Sequence, residues 1–314
     1  MTPIHVYHDG AAERIAGVVS ARAPDRSVVR IASRAELADR IGEIEVLFAA
    51  LPPRDGWARA QELRLIQLMG AGADHFLPAD GLPERVEVAG MRGVMAPEVS
   101  EHAILMMLAL ARGVPTLVER QRTRTWQQYA SPTLDGATLV VVGLGSIGAR
   151  VARIARAMGM RVCGVRRTGA PVEGVERVVP PSDLAELLER ADYLVVSAPL
   201  TAETRGWIDA SMLARLPARA RVICVGRGGV VDERALLAAL QGGAIAGAAL
   251  DVFDVEPLPP EHPLWSAPNT IVTPHLAGVG LRYVERAVEA LIENVERLER
   301  GAPRSGLLDR QLGY

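Results

Sequence analysis

The chain has 314 residues, 49% of them hydrophobic and only 4% aromatic, and carries a formal net charge of −2. That length supports two domains whose cores are filled chiefly by Ala, Val and Leu, and the near-neutral balance argues against a nucleic-acid or anionic-membrane partner. All 35 basic residues are arginine, which excludes lysine Schiff-base chemistry and a lysine-bearing phosphate loop.

The first ten residues include His and Asp and lack an apolar core segment, so no signal peptide is expected. Apolar runs then recur at Ile4–Tyr7, Val28–Ile31, Val46–Leu51, Leu65–Met69 and Val86–Ala89. They alternate with polar or helical segments, the pattern of parallel β-α-β units. A long helical segment opens near Pro97 and carries Ile104, Leu105, Leu108 and Ala111 at helical spacing. Its apolar stretch, Ala103–Ala111, is too short to span a bilayer, so a soluble, cytoplasmic protein is expected.

A second array of runs follows at Leu139–Val142, Arg161–Val165, Tyr193–Val196, Arg221–Val225, Ile245–Asp251 and Thr270–Thr273. Cys163 and Cys224 lie inside two of these runs and read as core fillers, with no disulfide and no metal site implied. A last helix is predicted from about Tyr283 to Arg300, stopped by Gly301.

Chemistry enters at the ends of these runs. After Leu139–Val142 comes Gly143-Leu144-Gly145-Ser146-Ile147-Gly148, and a helical pattern begins at Ala149. This is the strand, glycine turn and helix order of a dinucleotide site. The first glycine permits the turn, the second lets backbone approach a pyrophosphate, and the third packs helix on strand. Helix-start amides, including those of Ser146 and Ile147, would face the phosphates.

Further along, Arg227 follows Cys224-Val225-Gly226, Glu256 sits in Asp251-Val252-Phe253-Asp254-Val255-Glu256-Pro257, and His275 sits in Thr273-Pro274-His275. Strand ends of an open parallel sheet converge on one crevice. There a guanidinium could grip a carboxylate with two prongs. An imidazole could move a proton, and a nearby carboxylate would stabilise its protonated form and fix the ring. Gly70-Ala71-Gly72, after Leu65–Met69, could cradle a carboxylate with backbone amides.

From about Val46 to Glu299 the chain resembles the D-isomer-specific 2-hydroxyacid dehydrogenases, the family of glyoxylate/hydroxypyruvate reductases. The likeness is carried by Pro199-Leu200-Thr201-Ala202-Glu203-Thr204, Gly228-Gly229-Val230-Val231-Asp232, Ala249-Leu250-Asp251-Val252-Phe253 and Thr273-Pro274-His275, in family order. It implies two Rossmann-like, doubly wound parallel-sheet α/β domains. The substrate domain would be discontinuous, residues 1–95 with 280–314, around a dinucleotide domain of residues 96–279, with substrate bound between them.

The same resemblance makes Arg227, Glu256 and His275 the catalytic set and places Gly70, Ala71 and Gly72 on the substrate carboxylate. Pro199, Thr204, Val225, Gly226 and Asp251 join Gly143, Gly145, Ser146, Ile147 and Gly148 at the cofactor. It implies a homodimer acting on a small 2-keto or 2-hydroxy acid. A phosphite-type dehydrogenase and a dinucleotide-sensing, corepressor-like binding protein are the alternatives.

Two positions depart from the pattern. Where many relatives carry an acid for the ribose 2′-hydroxyl, this chain has Arg166-Arg167-Thr168, a set suited to a 2′-phosphate. NADP(H) is therefore expected in preference to NAD(H), which stays possible. Beyond His275, Gly280 and Leu281 replace an expected small polar residue. Arg92, Met95, Trp265, Arg282 and Tyr283 are further candidates for a pocket lining, and Glu101 and His102 read as structural residues at a helix start.

Overall fold

A computed structural model describes residues 1–73 and 75–310. The chain divides into two compact units, residues 1–95 with 280–314, and residues 96–279.

The first unit opens with β1 (Ile4–Tyr7), α1 (Ala12–Arg22), β2 (Val28–Ile31), α2 (Arg34–Arg40), β3 (Val46–Ala49), β4 (Leu65–Leu68) and β5 (Glu87–Ala89). The strands form one parallel sheet in the order β2-β1-β3-β4-β5. Every residue of β1, β3 and β4 is buried, which is why these strands read as predominantly apolar runs, interrupted only by buried His5 and Gln67. The run expected to reach Leu51 stops at Ala49, and Leu51 is exposed. No α-helix separates β3 from β4; Trp57, on a single 3-10 turn, packs edge-on against Phe76 at 5.6 Å there.

The second unit begins with α3 (Ala96–Ala111) and α4 (Val114–Arg122), separated at Gly113, whose φ is 64°. The helical segment expected from near Pro97, with Ile104, Leu105, Leu108 and Ala111, falls within α3. Then come β6 (Thr138–Val142), α5 (Ser146–Ala157), β7 (Arg161–Val165), β8 (Arg177–Val179), α6 (Ala185–Leu188), β9 (Tyr193–Val196), α7 (Ala210–Leu213), β10 (Arg221–Cys224), α8 (Glu233–Gln241), β11 (Gly247–Leu250) and β12 (Thr270–Val272).

All seven strands are parallel, in the order β12-β11-β10-β9-β6-β7-β8. The chain reverses direction across the sheet between β6 and β9, and ligands of such sheets bind at the carboxyl ends beside that reversal. Edge strand β8 was not expected. It has three residues and starts on an exposed arginine, too short and too polar to register as an apolar run. Strand β11 starts at Gly247, two residues later than expected, and Asp251 falls just past its end. Cys163, placed in the core by the sequence, is only half-buried.

The chain then returns to the first unit as α9 (Tyr283–Glu299). Ala287 and Val288, Leu291 and Val295, which recur at helical spacing, pack into a core with Ile4, Val6, Phe48 and Leu65. Buried Asn294 donates to Gln67 Oε1 at 2.8 Å, so neither amide is left unsatisfied by burial. Among the described residues no single helix is long and apolar enough to cross a membrane.

Candidate active site

The glycine turn lies where β6 ends and α5 begins. The amides of Gly143 and Leu144 both donate to Val165 O, at 3.1 and 3.0 Å, which ties the turn to the end of β7. A Cβ on Gly148 would come 2.2 Å from Gly143 O, so no larger residue fits. A Cβ on Gly145 would meet nothing within 4 Å. That residue caps α5 without a side-chain bond, leaving a helix start whose amides and dipole suit a pyrophosphate.

Ser146 is exposed and Ile147 half-buried at this rim. Ser197, which the sequence reading missed, donates its hydroxyl to Gly143 O at 2.9 Å. Only the β6–β9 pairing brings these two residues together, and no local spacing announces it.

Arg166, Arg167 and Thr168 are exposed and follow β7 directly. The arginine pair therefore stands beside the strand end against which the glycine turn rests. Thr204 has a largely local task. Its hydroxyl donates to Pro199 O at 2.7 Å and accepts from the Thr201 amide at 2.7 Å, shaping the loop after β9. Val225 and Gly226 are buried at the end of β10, with the Val225 amide donating to Val196 O at 3.0 Å.

Arg227 follows, half-buried, and its Nη1 donates to Gly226 O at 2.9 Å. The Glu256 loop runs against this segment at very short range: a Cβ on Gly228 would lie 1.9 Å from Phe253 O. Glycine at that position is what allows the two loops to touch. Glu256 itself is held at both oxygens. Oε1 accepts from the Phe253 amide at 2.9 Å, and Oε2 meets His275 Nδ1 at 2.6 Å. The same loop is fastened below by Glu233, which accepts from the Asp254 amide at 2.7 Å and lies 3.5 Å from His262 Nε2. Burial pushes the Glu233 carboxyl up from its ordinary range.

The imidazole of His275 keeps 47% of its side-chain surface exposed, so its Nε2 edge is accessible while Nδ1 is engaged. Its backbone is left-handed, with φ 49°, a conformation a non-glycine residue holds only when its surroundings enforce it. Asp251 supplies much of that enforcement. It is 2% exposed, so it offers little surface to a cofactor; its oxygens are turned onto the His275 loop. Oδ1 accepts from Thr273 Oγ1 at 2.6 Å and from the Leu276 amide at 3.0 Å, and Oδ2 accepts from the Ala277 amide at 2.9 Å. The His275 amide donates to Asp251 O at 2.8 Å.

Below Arg227 the Cys224 thiol is buried, and burial pushes its pKa up to about 12, so it acts as packing and not as a nucleophile. In the first unit, Gly70, Ala71 and Gly72 are half-buried after β4, and Gly70 O accepts from the Met91 amide at 2.9 Å. Among the pocket candidates, Tyr283 spends its hydroxyl on Met69 O at 2.8 Å, and Trp265 donates to Pro259 O at 2.9 Å. Arg282 lies 3.7 Å from Glu289. Leu281 is fully exposed.

The second unit therefore holds a glycine turn, an arginine, and a carboxylate–imidazole pair at the carboxyl ends of one sheet. Residues 104–277 match the family model described as D-isomer specific 2-hydroxyacid dehydrogenase, NAD binding domain. The chain is 35% identical over 264 residues to a glyoxylate/hydroxypyruvate reductase A of Klebsiella pneumoniae (strain 342), covering 82% of this chain and 83% of that protein. It is 32% identical to a glyoxylate reductase of Korarchaeum cryptofilum, covering 89% and 87%.

Two solved structures are similar throughout. The NADPH-dependent glyoxylate/hydroxypyruvate reductase of Sinorhizobium meliloti, in complex with NADP and sulfate, superposes with a TM-score of 0.90 at 30% identity, covering 100% of both chains. A D-isomer specific 2-hydroxyacid dehydrogenase of Xanthobacter autotrophicus Py2, in complex with NADPH and MES, gives 0.88 at 34% identity, covering 100% of this chain and 99% of that one.

Proposed function

The chain belongs to the D-isomer specific 2-hydroxyacid dehydrogenase family, and on that premise we propose that it interconverts a small 2-keto acid and its D-2-hydroxy acid using NADP(H), with NAD(H) as a weaker cofactor. The observation that carries this reading is the 2.6 Å contact between His275 Nδ1 and Glu256 Oε2. With Nδ1 engaged, Nε2 is the edge that meets substrate oxygen. The protonated ring gives its proton to that oxygen during reduction and takes it back during oxidation. Glu256 stabilises the charge on the ring and fixes its plane.

Arg227 grips the substrate carboxylate through its planar fork, and the amides of Gly70-Ala71-Gly72 are assigned to the same carboxylate. When bound, the nicotinamide cofactor supplies or accepts the hydride at the adjacent carbon. The fit of the turn to a pyrophosphate rests on the open side of Gly145 and the uncapped start of α5. Arg166 and Arg167, with the Thr168 hydroxyl, favour a 2′-phosphate over a bare ribose. The relatives named for glyoxylate and hydroxypyruvate, one of them solved with NADP, and the 2-hydroxyacid dehydrogenase solved with NADPH support the same substrate class and cofactor. A cytoplasmic homodimer completes the proposal.

The test is His275→Ala. Turnover should fall by about 10²-fold or more, in the range usual for a lost acid–base group, while the NADPH dissociation constant stays near that of the unaltered protein. Undiminished turnover would remove His275 from the reaction.

A further inference from the structure

One polar chain in the second unit has no place in the reaction as described. It starts at His102, expected at a helix start but placed by the structure as the seventh residue of α3. His102 is mostly buried, and its Nε2 lies 3.1 Å from Thr273 Oγ1 and 3.6 Å from Asp251 Oδ1. The direction of the hydrogen bonds follows from counting protons. Thr273 has one hydroxyl hydrogen, and the 2.6 Å contact with the Asp251 carboxylate claims it. Thr273 Oγ1 therefore accepts from His102, and the ring carries its hydrogen on Nε2. Burial lowers the His102 pKa against the opposing pull of Asp251, which keeps the ring neutral and consistent with that single donor.

The other end of the chain is the His275 loop. Asp251 holds Thr273, Leu276 and Ala277 by its side chain and His275 by its backbone carbonyl. Those partners bracket a non-glycine residue at φ 49°. A loop in an unfavoured conformation depends on such over-determination.

We propose that His102 is a positioning residue for His275: its Nε2–H, passed through Thr273 Oγ1 to Asp251, locks the 273–277 loop so that the imidazole meets both Glu256 and substrate. The proposal rests on the reading of His275 as the proton-transfer group. It assigns His102 no contact with substrate or cofactor; it acts through the loop alone.

The experiment compares His102→Leu with His102→Gln in the full-length protein, reading kcat for glyoxylate reduction by NADPH, the NADPH dissociation constant and the melting midpoint. Leu fills the space without a donor, whereas Gln can place an N–H near the Nε2 position. His102→Leu should lower kcat by roughly tenfold to a hundredfold, the scale at which small misplacements of a reacting group are felt. NADPH affinity should be unchanged, and His102→Gln should recover most of the rate.

Thr273→Val against Thr273→Ser reads the next link independently and covers the case in which His102→Leu fails to fold. Val should lose rate and Ser should keep it, and His102→Leu/Thr273→Val should be no slower than the worse single variant. Full rate in His102→Leu, equal loss in His102→Leu and His102→Gln, or a rate loss matched by lost NADPH affinity would each overturn the proposal. If the unaltered protein has no turnover, or His275→Ala keeps it, the functional reading fails instead. An inactive His275→Ala beside a fully active His102→Leu removes only the role given to His102.

Discussion

At the scale of single residues, the site depends on geometry more than on charge alone. Arg227 presents a planar fork, and a lysine would offer a point charge on a flexible stem. Arg227→Lys should therefore lose most of kcat/KM on a 2-keto acid although the charge is retained; equal efficiency on acid and ester substrates would show that Arg227 has another task. Glu256 Oε2 meets His275 Nδ1 at 2.6 Å, a contact that can hold the ring in one orientation. Glu256→Gln should therefore lower kcat for 2-keto acid reduction while leaving the NADPH dissociation constant unchanged; an unchanged kcat would count against the pairing.

These residues were legible because each stands in a short motif just past an apolar run. Asp251 was legible only as a position. Its use became visible when the fold placed Thr273, Leu276 and Ala277 around it. His102 was legible only as a structural helix residue, since its partner Thr273 is 171 residues away in sequence.

At the scale of elements, strands with every residue buried announced themselves and the short edge strand did not. β8 escaped because an edge strand has one neighbour and tolerates an exposed arginine. The turn between β6 and α5 was readable because its requirement is local: the place where a Cβ on Gly148 would strike Gly143 O is five residues away in the chain. The return of α9 to the first unit was implied by resemblance alone, yet what fastens it is physical.

Arg26 pairs with Glu299 at the end of that helix, at 2.7 Å, with the arginine side chain only 8% exposed. The hydrogen bond from Arg26 holds the Glu299 carboxyl at about 2, against an ordinary carboxylate value. A depressed carboxylate stabilises the fold fully above the ordinary carboxylate range and loses that contribution as pH falls toward about 2. Glu299→Gln should thus melt lower at neutral pH by about 2 °C or less, given the partly exposed pair. The gap should close as the scan is repeated from pH 5 downward; a gap that widens in acid would contradict the assignment.

At the scale of the whole molecule, one chain carries two parallel sheets of different strand order; the glycine turn, Arg227, Glu256 and His275 follow strands of the seven-stranded one, and Gly70-Ala71-Gly72 follows β4 of the other. Fold alone does not make such a protein an enzyme, and a dinucleotide-binding protein could keep the turn while having no use for the pair at Glu256 and His275. The presence of that pair beside Arg227, together with Arg166 and Arg167 at the end of β7, separates the two cases. The measurement that decides is the initial rate of NADPH oxidation by the purified protein with glyoxylate and with hydroxypyruvate, repeated with NADH. The account predicts turnover of at least one of the two acids, with a clearly higher kcat/KM for NADPH than for NADH; tight NADPH binding without turnover of either acid, or a preference for NADH, would contradict it.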